Sequence, residues 1–160
     1  PQLDKKQIKQ INKFIDKNYS EIEGASPTAM IKGEKLKQDS HTKLVRWHLV
    51  KPFLYKIYNY ADYTLTHDWG FLTYPYPEDK FINLTTYVGK NKGTLLINAS
   101  EEKYEGGKLK IFHQGEMEVD YLDAPGSVVL FHGFINHEVT PVTKGTRKII
   151  AMFIGGPSWR

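Results

Sequence analysis

The second half of the chain is a succession of short β-prone runs separated by turn signals, and this pattern constrains the fold more than any other feature. The eight runs are residues 69–74, 81–87, 94–98, 108–112, 116–121, 127–131, 137–142 and 147–154. Strands of this length, repeated at this spacing, are typical of a β-sandwich or jelly roll. The sequence therefore predicts two facing antiparallel sheets over the C-terminal two thirds of the chain.

Two amphipathic helices are predicted ahead of these strands. Asp4 is placed to cap a helix over residues 3–18, whose apolar stripe consists of Ile8, Ile11, Phe14 and Ile15. Pro52 can open a second helix over residues 52–63, because the first turn of a helix leaves its amides unpaired in any case. One face of that helix holds Phe53, Ile57, Tyr60 and Ala61. Residues 23–40 are predicted to form a loop with one edge strand. The expected fold class is mainly β with N-terminal helices, an α+β arrangement.

Length and composition favour one intracellular domain. The chain has 160 residues, with helical support expected over about residues 1–65 and a β core over about 69–157. Its net charge is +4, but basic residues never exceed two in a row, which predicts a solvated surface and no nucleic-acid groove. Zero cysteines exclude disulfides, thiolate metal sites and cysteine nucleophiles. No membrane span or signal peptide is recognisable, which predicts a cytoplasmic or otherwise intracellular protein with no membrane partner.

His137 and Arg147 are candidates for a functional pair, because they begin two adjacent predicted strands. If a loop over residues 142–146 joins these strands as a hairpin, Pro141 lies opposite Arg147 and both candidate side chains point to one face. Pro141 has no amide to donate, so this register requires a non-hydrogen-bonded pair or a frayed strand end. A five-carbon dicarboxylate then fits between a metal on His137 and the guanidinium of Arg147. The plain alternative is a packed histidine and a surface arginine.

The residues around this pair resemble those of a known family. The nine residues that end at Arg147 read V-T-P-V-T-K-G-T-R and follow a strand ending in Phe131 and the histidine His137. Upstream, L-I-N-A-S at 96–100 and Y-E-G-G-K-L at 104–109 are two further matches, and G-G-P closes the segment. Over about residues 81–157, these motifs are similar to those of prolyl 4-hydroxylase-like iron(II)/2-oxoglutarate-dependent dioxygenases.

The resemblance implies a double-stranded β-helix, a form of jelly roll, and a role for each matched residue. His137 would be the distal, catalytic iron ligand, and Arg147 would bind the far carboxylate of 2-oxoglutarate. Tyr87 resembles the family tyrosine that hydrogen-bonds the same carboxylate. The other matched positions are expected around the cosubstrate: Thr94, Leu109 and Val139, with Phe153 where the family often has an aromatic residue.

The resemblance also implies a reaction. Iron(II) and 2-oxoglutarate are the implied cofactors, ascorbate is a further candidate, and molecular oxygen is the co-substrate. In this reaction 2-oxoglutarate becomes succinate while an unactivated C–H bond is hydroxylated, and a peptidyl proline or an amino acid is the expected substrate. A function of another class is also open: a non-catalytic jelly-roll binding module that keeps Arg147 and Tyr87 but has lost the iron ligands.

The sequence departs from the family at the first two iron ligands, which normally form a His-x-Asp motif between the positions of Tyr87 and Thr94. Only V-G-K-N-K-G lies there, and no His-x-Asp occurs in the chain. Three explanations are open: a further loop of about 15–20 residues at Asn91-Lys92 carries the motif, the deletion is real, or other side chains substitute. The candidates for substitution are His67, Asp68, His113 and His132. The first two are adjacent, and in a strand they would point to opposite faces.

Overall fold

The computed structural model describes residues 2–18, 20–21, 30–31, 34–35, 43–69, 81–82 and 91–155. Its helices are α1 (Lys5–Asn18) and α2 (Trp47–Tyr63), and a π-helical turn (Thr64–Asp68) continues the second. The strands are β1 (Ser20–Glu21), β2 (Met30–Ile31), β3 (Glu34–Lys35), β4 (Lys43–Arg46), β5 (Phe81–Ile82), β6 (Asn91–Asn98), β7 (Glu105–Gly106), β8 (Leu109–Phe112), β9 (Glu116–Glu118), β10 (Val128–His132), β11 (Asn136–Val139), β12 (Val142–Lys144) and β13 (Ile149–Gly155). This mainly-β arrangement with two helices agrees with the predicted class.

The central layer is an antiparallel sheet of β10, β6 and β13, the helix-backed sheet. Side chains of β6 alternate between its two faces, so Leu95 and Ile97 point to the helices, whereas Thr94, Leu96 and Asn98 point away from them. The first two belong to the larger apolar cluster, to which β13 contributes every second residue. Because both faces of β6 are buried, its sequence reads as a nearly continuous apolar run.

The helix α1 is capped as the sequence predicts. The Gln7 amide donates to Asp4 Oδ1 at 2.8 Å, and the Asp4 amide donates to Gln7 Oε1 at 2.9 Å. This reciprocal cap satisfies two amides that a helix start otherwise leaves unpaired. Ile8 and Ile11 are buried in the larger cluster, and the helix ends at Asn18, as expected.

The helix α2 begins at Trp47, so the prediction that Pro52 opens it is wrong. Trp47 and Val50 are only 2% and 0% exposed, and they extend the buried stripe by one turn. Burial of two such side chains contributes about 1.5–3 kcal/mol each, which offsets the roughly 3 kcal/mol that a proline inside a helix costs. The predicted inner face is also wrong at one position, because Tyr60 is 60% exposed, whereas Leu54 is fully buried.

A second antiparallel sheet, formed by β11, β8 and β9, faces the first and is called the facing sheet. Its residues Leu109 and Ile111 pack with Leu96 and Phe131 of the helix-backed sheet in the smaller apolar cluster. Beside these sheets, β7 and β12 form a two-stranded ribbon. Two packed antiparallel sheets, with successive strands of the chain distributed between them, are consistent with a jelly roll.

The predicted hairpin between the strands of His137 and Arg147 does not form. Instead β11 pairs with β8, with His137 opposite Ile111, while β13 pairs with β6. The strand predicted over residues 137–142 is interrupted at Pro141, which has no amide for a ladder but whose carbonyl accepts from the Gly107 amide at 2.9 Å. From there the chain runs through β12 and crosses to the other sheet, so consecutive strands are not neighbours.

The remaining strand predictions are met in part. The strand expected over residues 116–121 ends at Glu118, and a 3-10 turn (Asp120–Asp123) follows it. In the region predicted as a loop with an edge strand, β2 and β3 pair with each other. Residues 70–74 and 83–87 of two predicted strands lie outside the described residues. Within the described ranges, no helix combines the length and the apolar character needed to cross a membrane.

Candidate active site

The inner face of the facing sheet is buried at one end and exposed at the other. Antiparallel pairing places Ile111 between His137 and Met117 in one row across this face, because cross-strand partners lie on the same side of a sheet. His137 is exposed and Met117 is 58% exposed, whereas Leu109, one pleat further in, is 1% exposed. His137 therefore lies at the open mouth of the space between the sheets.

Two contacts orient the imidazole of His137. Its Nδ1 lies 3.1 Å from the Ile135 carbonyl oxygen, which can only accept, so Nδ1 carries the proton of the neutral ring. The ring meets that of Phe131 edge-on, with centroids 5.0 Å apart and planes at 64°. Nε2 is thereby the ring nitrogen with a lone pair, the form in which an oriented histidine binds a metal.

Arg147 lies at the other end of the same inner surface, shortly before β13. Its side chain crosses Gly107, where a Cβ would lie 2.6 Å from Arg147 Cδ and 3.0 Å from Val142 Cγ2. Gly107 precedes Ile111 by four residues, and is thus roughly 13 Å from the row that contains His137. Because glycine has no side chain, Arg147 can pass over Gly107 into the space between the sheets.

The guanidinium of Arg147 is partly buried and forms no ion pair with a carboxylate of the described residues. Burial lowers the pKa of Arg147, while the Tyr104 hydroxyl, within hydrogen-bonding reach, and the Asp123 carboxylate oppose that shift. Asp123 is itself bound by Lys108, whose Nζ donates to Asp123 Oδ2. Arg147 Nε is buried, and no group in the described ranges accepts its hydrogen bond. A partly desolvated cation with an unused donor favours an anionic ligand.

A fully buried amide, Asn98, organises the polar groups beside this arginine. Asn98 Nδ2 donates to the Tyr104 hydroxyl at 3.0 Å and to the Leu122 carbonyl at 2.8 Å, while its Oδ1 accepts from the Ser100 amide at 2.9 Å. Neither Asn98 nor Tyr104 receives a role from the sequence, although both stand in the matched motifs. A polar amide that ends an otherwise apolar strand is the signal that points to such a buried network.

Three of the residues predicted around the cosubstrate share the inner surface with Phe153, the position where the family often has an aromatic residue. Thr94 is 2% exposed on β6, and Leu109 and Val139 pack in the smaller cluster. Phe153 is the register partner of Thr94 and lies on the same face of the helix-backed sheet. Tyr87 lies outside the described residues. Contact of these positions with a cosubstrate stays a prediction.

Two of the candidates for a substitute iron ligand lie at the end of α2. His67 and Asp68 belong to the π-helical turn, so the strand geometry considered for them does not apply. The His67 ring stacks on Tyr63 with centroids 4.2 Å apart, and its Nδ1 lies 3.3 Å from the Tyr63 carbonyl oxygen. These contacts are those of a histidine that packs on its own helix.

His132 and His113, the other two candidates, also have structural surroundings. The His132 ring stacks between Trp69 and Phe134, with centroid distances of 4.1 and 5.0 Å. Burial, and to a smaller extent the neighbouring His113, lower the pKa of His132. This stacked, partly buried position favours a neutral imidazole. His113 is exposed beyond the end of β8.

The donor set that iron(II) requires is incomplete in the described part of the chain. Among these residues, no group of three or more His, Cys, Asp or Glu side chains is close enough to hold a metal ion. His137 offers one imidazole, and tight binding of iron depends on several convergent ligands. The described residues therefore do not form an iron site by themselves.

The short link that replaces the expected His-x-Asp segment is partly a strand. Asn91 begins β6 opposite Gly155, so residues 91–93 extend the strand predicted over 94–98. Gly93 suits this place, because a Cβ there would lie 2.8 Å from both Cδ atoms of the buried Leu65. A further loop has to enter before Asn91 if the pairing is to stay intact.

Comparison with protein families matches residues 59–155 to the 2OG-Fe(II) oxygenase superfamily. The match spans more than half of the chain, from within α2 to the end of β13. It includes both ends of the inner surface, His137 and Arg147. A search of curated proteins finds no match to the chain.

Proposed function

This chain belongs to the 2OG-Fe(II) oxygenase superfamily, and from that premise we propose that it is a prolyl 4-hydroxylase-like enzyme acting on a peptidyl proline or an amino acid. Membership indicates a dioxygenase-type enzyme and implies iron(II) and 2-oxoglutarate as cofactors, with oxygen as co-substrate. The finer assignment is supported by the V-T-P-V-T-K-G-T-R motif. The two facing antiparallel sheets are compatible with the double-stranded β-helix that this proposal requires.

The observation that carries the proposal is that an arginine without an ion-pair partner among the described residues and an oriented histidine lie on one inner surface. Arg147 can give charge-assisted hydrogen bonds to the far carboxylate of 2-oxoglutarate, which recovers part of what its burial costs. Leu109 and Val139 are suited to the methylene carbons of the ligand, since they present only apolar atoms. The 2-oxo acid end then extends along this surface towards His137 and the mouth.

The chain's own share of the proposed reaction is binding, orientation and exclusion of water. Phe131 and the Ile135 carbonyl hold the His137 ring in one orientation, and the smaller apolar cluster keeps the deeper part of the space dry. Iron(II), when bound, supplies the redox chemistry of the family. The substrate enters at the exposed mouth beside Met117, and ascorbate is proposed as an accessory cofactor on the resemblance alone.

The missing motif favours a second candidate function, a carboxylate- or peptide-binding module without iron chemistry. The sequence contains no His-x-Asp, and in the described ranges no cluster of side chains could hold a metal. Such a module would keep Arg147 to hold a carboxylate. Both functions therefore use Arg147, whereas only the enzyme uses His137 as a ligand.

Iron stoichiometry and succinate formation distinguish the two functions. The intact mass is measured first, because a mass above that of the 160 residues would reveal further residues, which can then be searched for a His-x-Asp motif. Protein loaded anaerobically with iron(II) then receives oxygen, 2-oxoglutarate and a proline-containing peptide. The hydroxylase binds iron one to one and forms succinate, whereas the binding module holds iron weakly and forms none.

A histidine pair provides the matched variants for this experiment. In the enzyme, His137→Ala should lose both tight iron binding and succinate formation while keeping its circular dichroism spectrum, since His137 is exposed. The control His48→Ala removes an exposed histidine that lies on α2, and it should retain both tight iron binding and succinate formation. Tight iron and full turnover in His137→Ala would contradict the role proposed for His137.

A further inference from the structure

We propose that a cavity at the end of α2 is a second ligand site, and that it binds an organic ammonium ion whose nitrogen carries apolar groups. The cavity lies between the helix-backed sheet and the end of α2 with its π-helical turn. Its volume of about 360 Å³ is that of a site for a small molecule or a single side chain. Binding at this place does not depend on the proposed function.

The cavity is on the opposite face of the helix-backed sheet from Arg147. Its floor includes Leu95, Val128 and Leu130, which pack in the larger apolar cluster on the helix side. Leu96, the neighbour of Leu95 in β6, packs in the smaller cluster instead, because side chains alternate along a strand. A ligand in this cavity is therefore separated by the sheet from the proposed 2-oxoglutarate site.

Three aromatic side chains line the cavity: Tyr60, Trp69 and Tyr121. The rings of Tyr60 and Tyr121 are more than half exposed, so they are accessible to a ligand. The Trp69 ring stacks on His132 with centroids 4.1 Å apart, which holds it in one orientation beside the cavity. The faces of such rings attract cations, and tryptophan does so most strongly. Several aromatic rings around one space favour a positively charged ligand.

The polar end of the cavity is negative. Asp68 is exposed and forms no ion pair within the described ranges. The helix that begins at Trp47 and continues through the π-helical turn also ends at Asp68, and the carbonyl end of a helix favours a cation through its dipole. Among the described residues that line the cavity, none is Lys, Arg or His. The carboxylate is therefore available to a cationic ligand, and an anion is disfavoured.

The apolar floor decides which kind of cation fits. A divalent metal ion needs several oxygen ligands, whereas the described lining offers one carboxylate among mainly apolar groups. An alkylated ammonium ion can bury its carbon groups against Leu95, Val128 and Leu130 while its charge stays near Asp68 and the rings. The ligand class is thus an alkylated amine, either a free small molecule or the side chain of a methylated lysine.

The first test compares choline with 3,3-dimethylbutan-1-ol, which has nearly the same shape but no charge. The chain has three tryptophans, so the indole N–H signal of Trp69 can be assigned with Trp69→Phe and followed by nuclear magnetic resonance. Choline should shift this signal in the wild type. It should also bind about tenfold more tightly than the alcohol, because only the cation gains from the rings and the carboxylate. Equal affinity for both compounds, or a Trp69 signal that choline does not move, would overturn the inference.

Substitutions of exposed side chains locate the bound cation. Asp68→Asn and Tyr60→Leu should each weaken choline binding at least about threefold. The matched controls Glu102→Gln and Tyr55→Leu change an exposed acid and an exposed tyrosine that do not line the cavity, and they should bind choline like the wild type. Wild-type affinity in either Asp68→Asn or Tyr60→Leu would refute the site.

A short peptide that contains trimethyllysine distinguishes the two sources of the ammonium group, with the unmodified lysine peptide as its control. Tighter binding of the methylated peptide than of choline would assign the cavity to a methylated lysine, and no tighter binding would assign it to a free alkylated amine. Arg147→Ala should bind choline like the wild type, so the proposed function can fail while this site stands. Absence of binding of both choline and the methylated peptide would refute the proposal.

Discussion

Gly107→Ala tests the path of Arg147 directly, because the new methyl group would occupy the place where the arginine crosses the strand. It would lie 2.6 Å from Arg147 Cδ and 3.0 Å from Val142 Cγ2, both closer than ordinary van der Waals contact. Gly107 also has a φ of 63°, which an L-residue adopts at a cost of about 1–2 kcal/mol. With about 1–3 kcal/mol for overpacking, the free energy of unfolding should fall by about 2–5 kcal/mol.

The same substitution should weaken binding of 2-oxoglutarate, because Arg147 can escape the clash only by leaving its position. Loss of its charge-assisted hydrogen bonds predicts an affinity at least about tenfold lower. Urea denaturation measures the stability and calorimetric titration measures the affinity.

Gly115→Ala is the matched control for Gly107→Ala. Gly115 also has a positive φ, 132°, but no atom lies within 4 Å of the position of a Cβ. This variant should lose stability through backbone strain alone, of order 1–3 kcal/mol, and should bind 2-oxoglutarate like the wild type. If Gly107→Ala matches Gly115→Ala in both stability and affinity, Arg147 does not cross Gly107 and the reasoning is wrong.

Three further predictions concern the fold. Burial, with a smaller contribution from His113, lowers the pKa of His132 in the folded protein below its ordinary 6.5. As the pH falls, His132 is therefore protonated in the unfolded chain before it is protonated in the folded one, and stability is lost below about pH 6.5. Urea denaturation at pH 7.5 and 5.5 should therefore show a larger loss for the wild type than for His132→Phe. Asp4→Ala removes the cap on the Gln7 amide and should cost about 1 kcal/mol of unfolding free energy, and an unchanged midpoint would contradict the cap. Leu109→Ala should cost about 2–5 kcal/mol, and a loss below 1 kcal/mol would show that the smaller cluster is not a packed core.

Local patterns in the sequence were sufficient to predict the first helix and most strands. The Asp4 cap and the spacing of Ile8 and Ile11 predict α1 because each acts within a few residues of the chain. The run around Leu96 predicts β6 for the same reason, although the strand starts three residues earlier, where pairing with β13 continues to Gly155.

Long-range pairing explains where the predictions fail. The hairpin expected between the strands of His137 and Arg147 follows from neighbourhood in sequence, whereas a jelly roll sends consecutive strands to different sheets. Both residues still reach one inner surface, because the two sheets enclose it from opposite sides. The start of α2 before Pro52 depends on burial of Trp47 against distant residues, which no local rule contains.

The polar part of the site could be predicted least. The sequence points to Arg147 through a motif, but the contact of Tyr104 with Asn98 joins a turn to the end of another strand, and its direction depends on the amide orientation set by Ser100. Hydrogen-bond direction is a property of the folded network and has no periodic signal in the sequence.

The most direct test of the central claim, that the space beside Arg147 binds 2-oxoglutarate, is a calorimetric titration of the wild type, Arg147→Ala and Arg147→Lys with this ligand. The variant Arg147→Ala loses a charge-assisted pair in a partly desolvated pocket. Its binding of 2-oxoglutarate should therefore be weaker than that of the wild type by at least about 2 kcal/mol, roughly thirtyfold. Arg147→Lys should recover only part of the affinity, because an ammonium cannot reproduce the fork of the guanidinium. Equal affinity of the wild type and Arg147→Ala for 2-oxoglutarate would contradict the account.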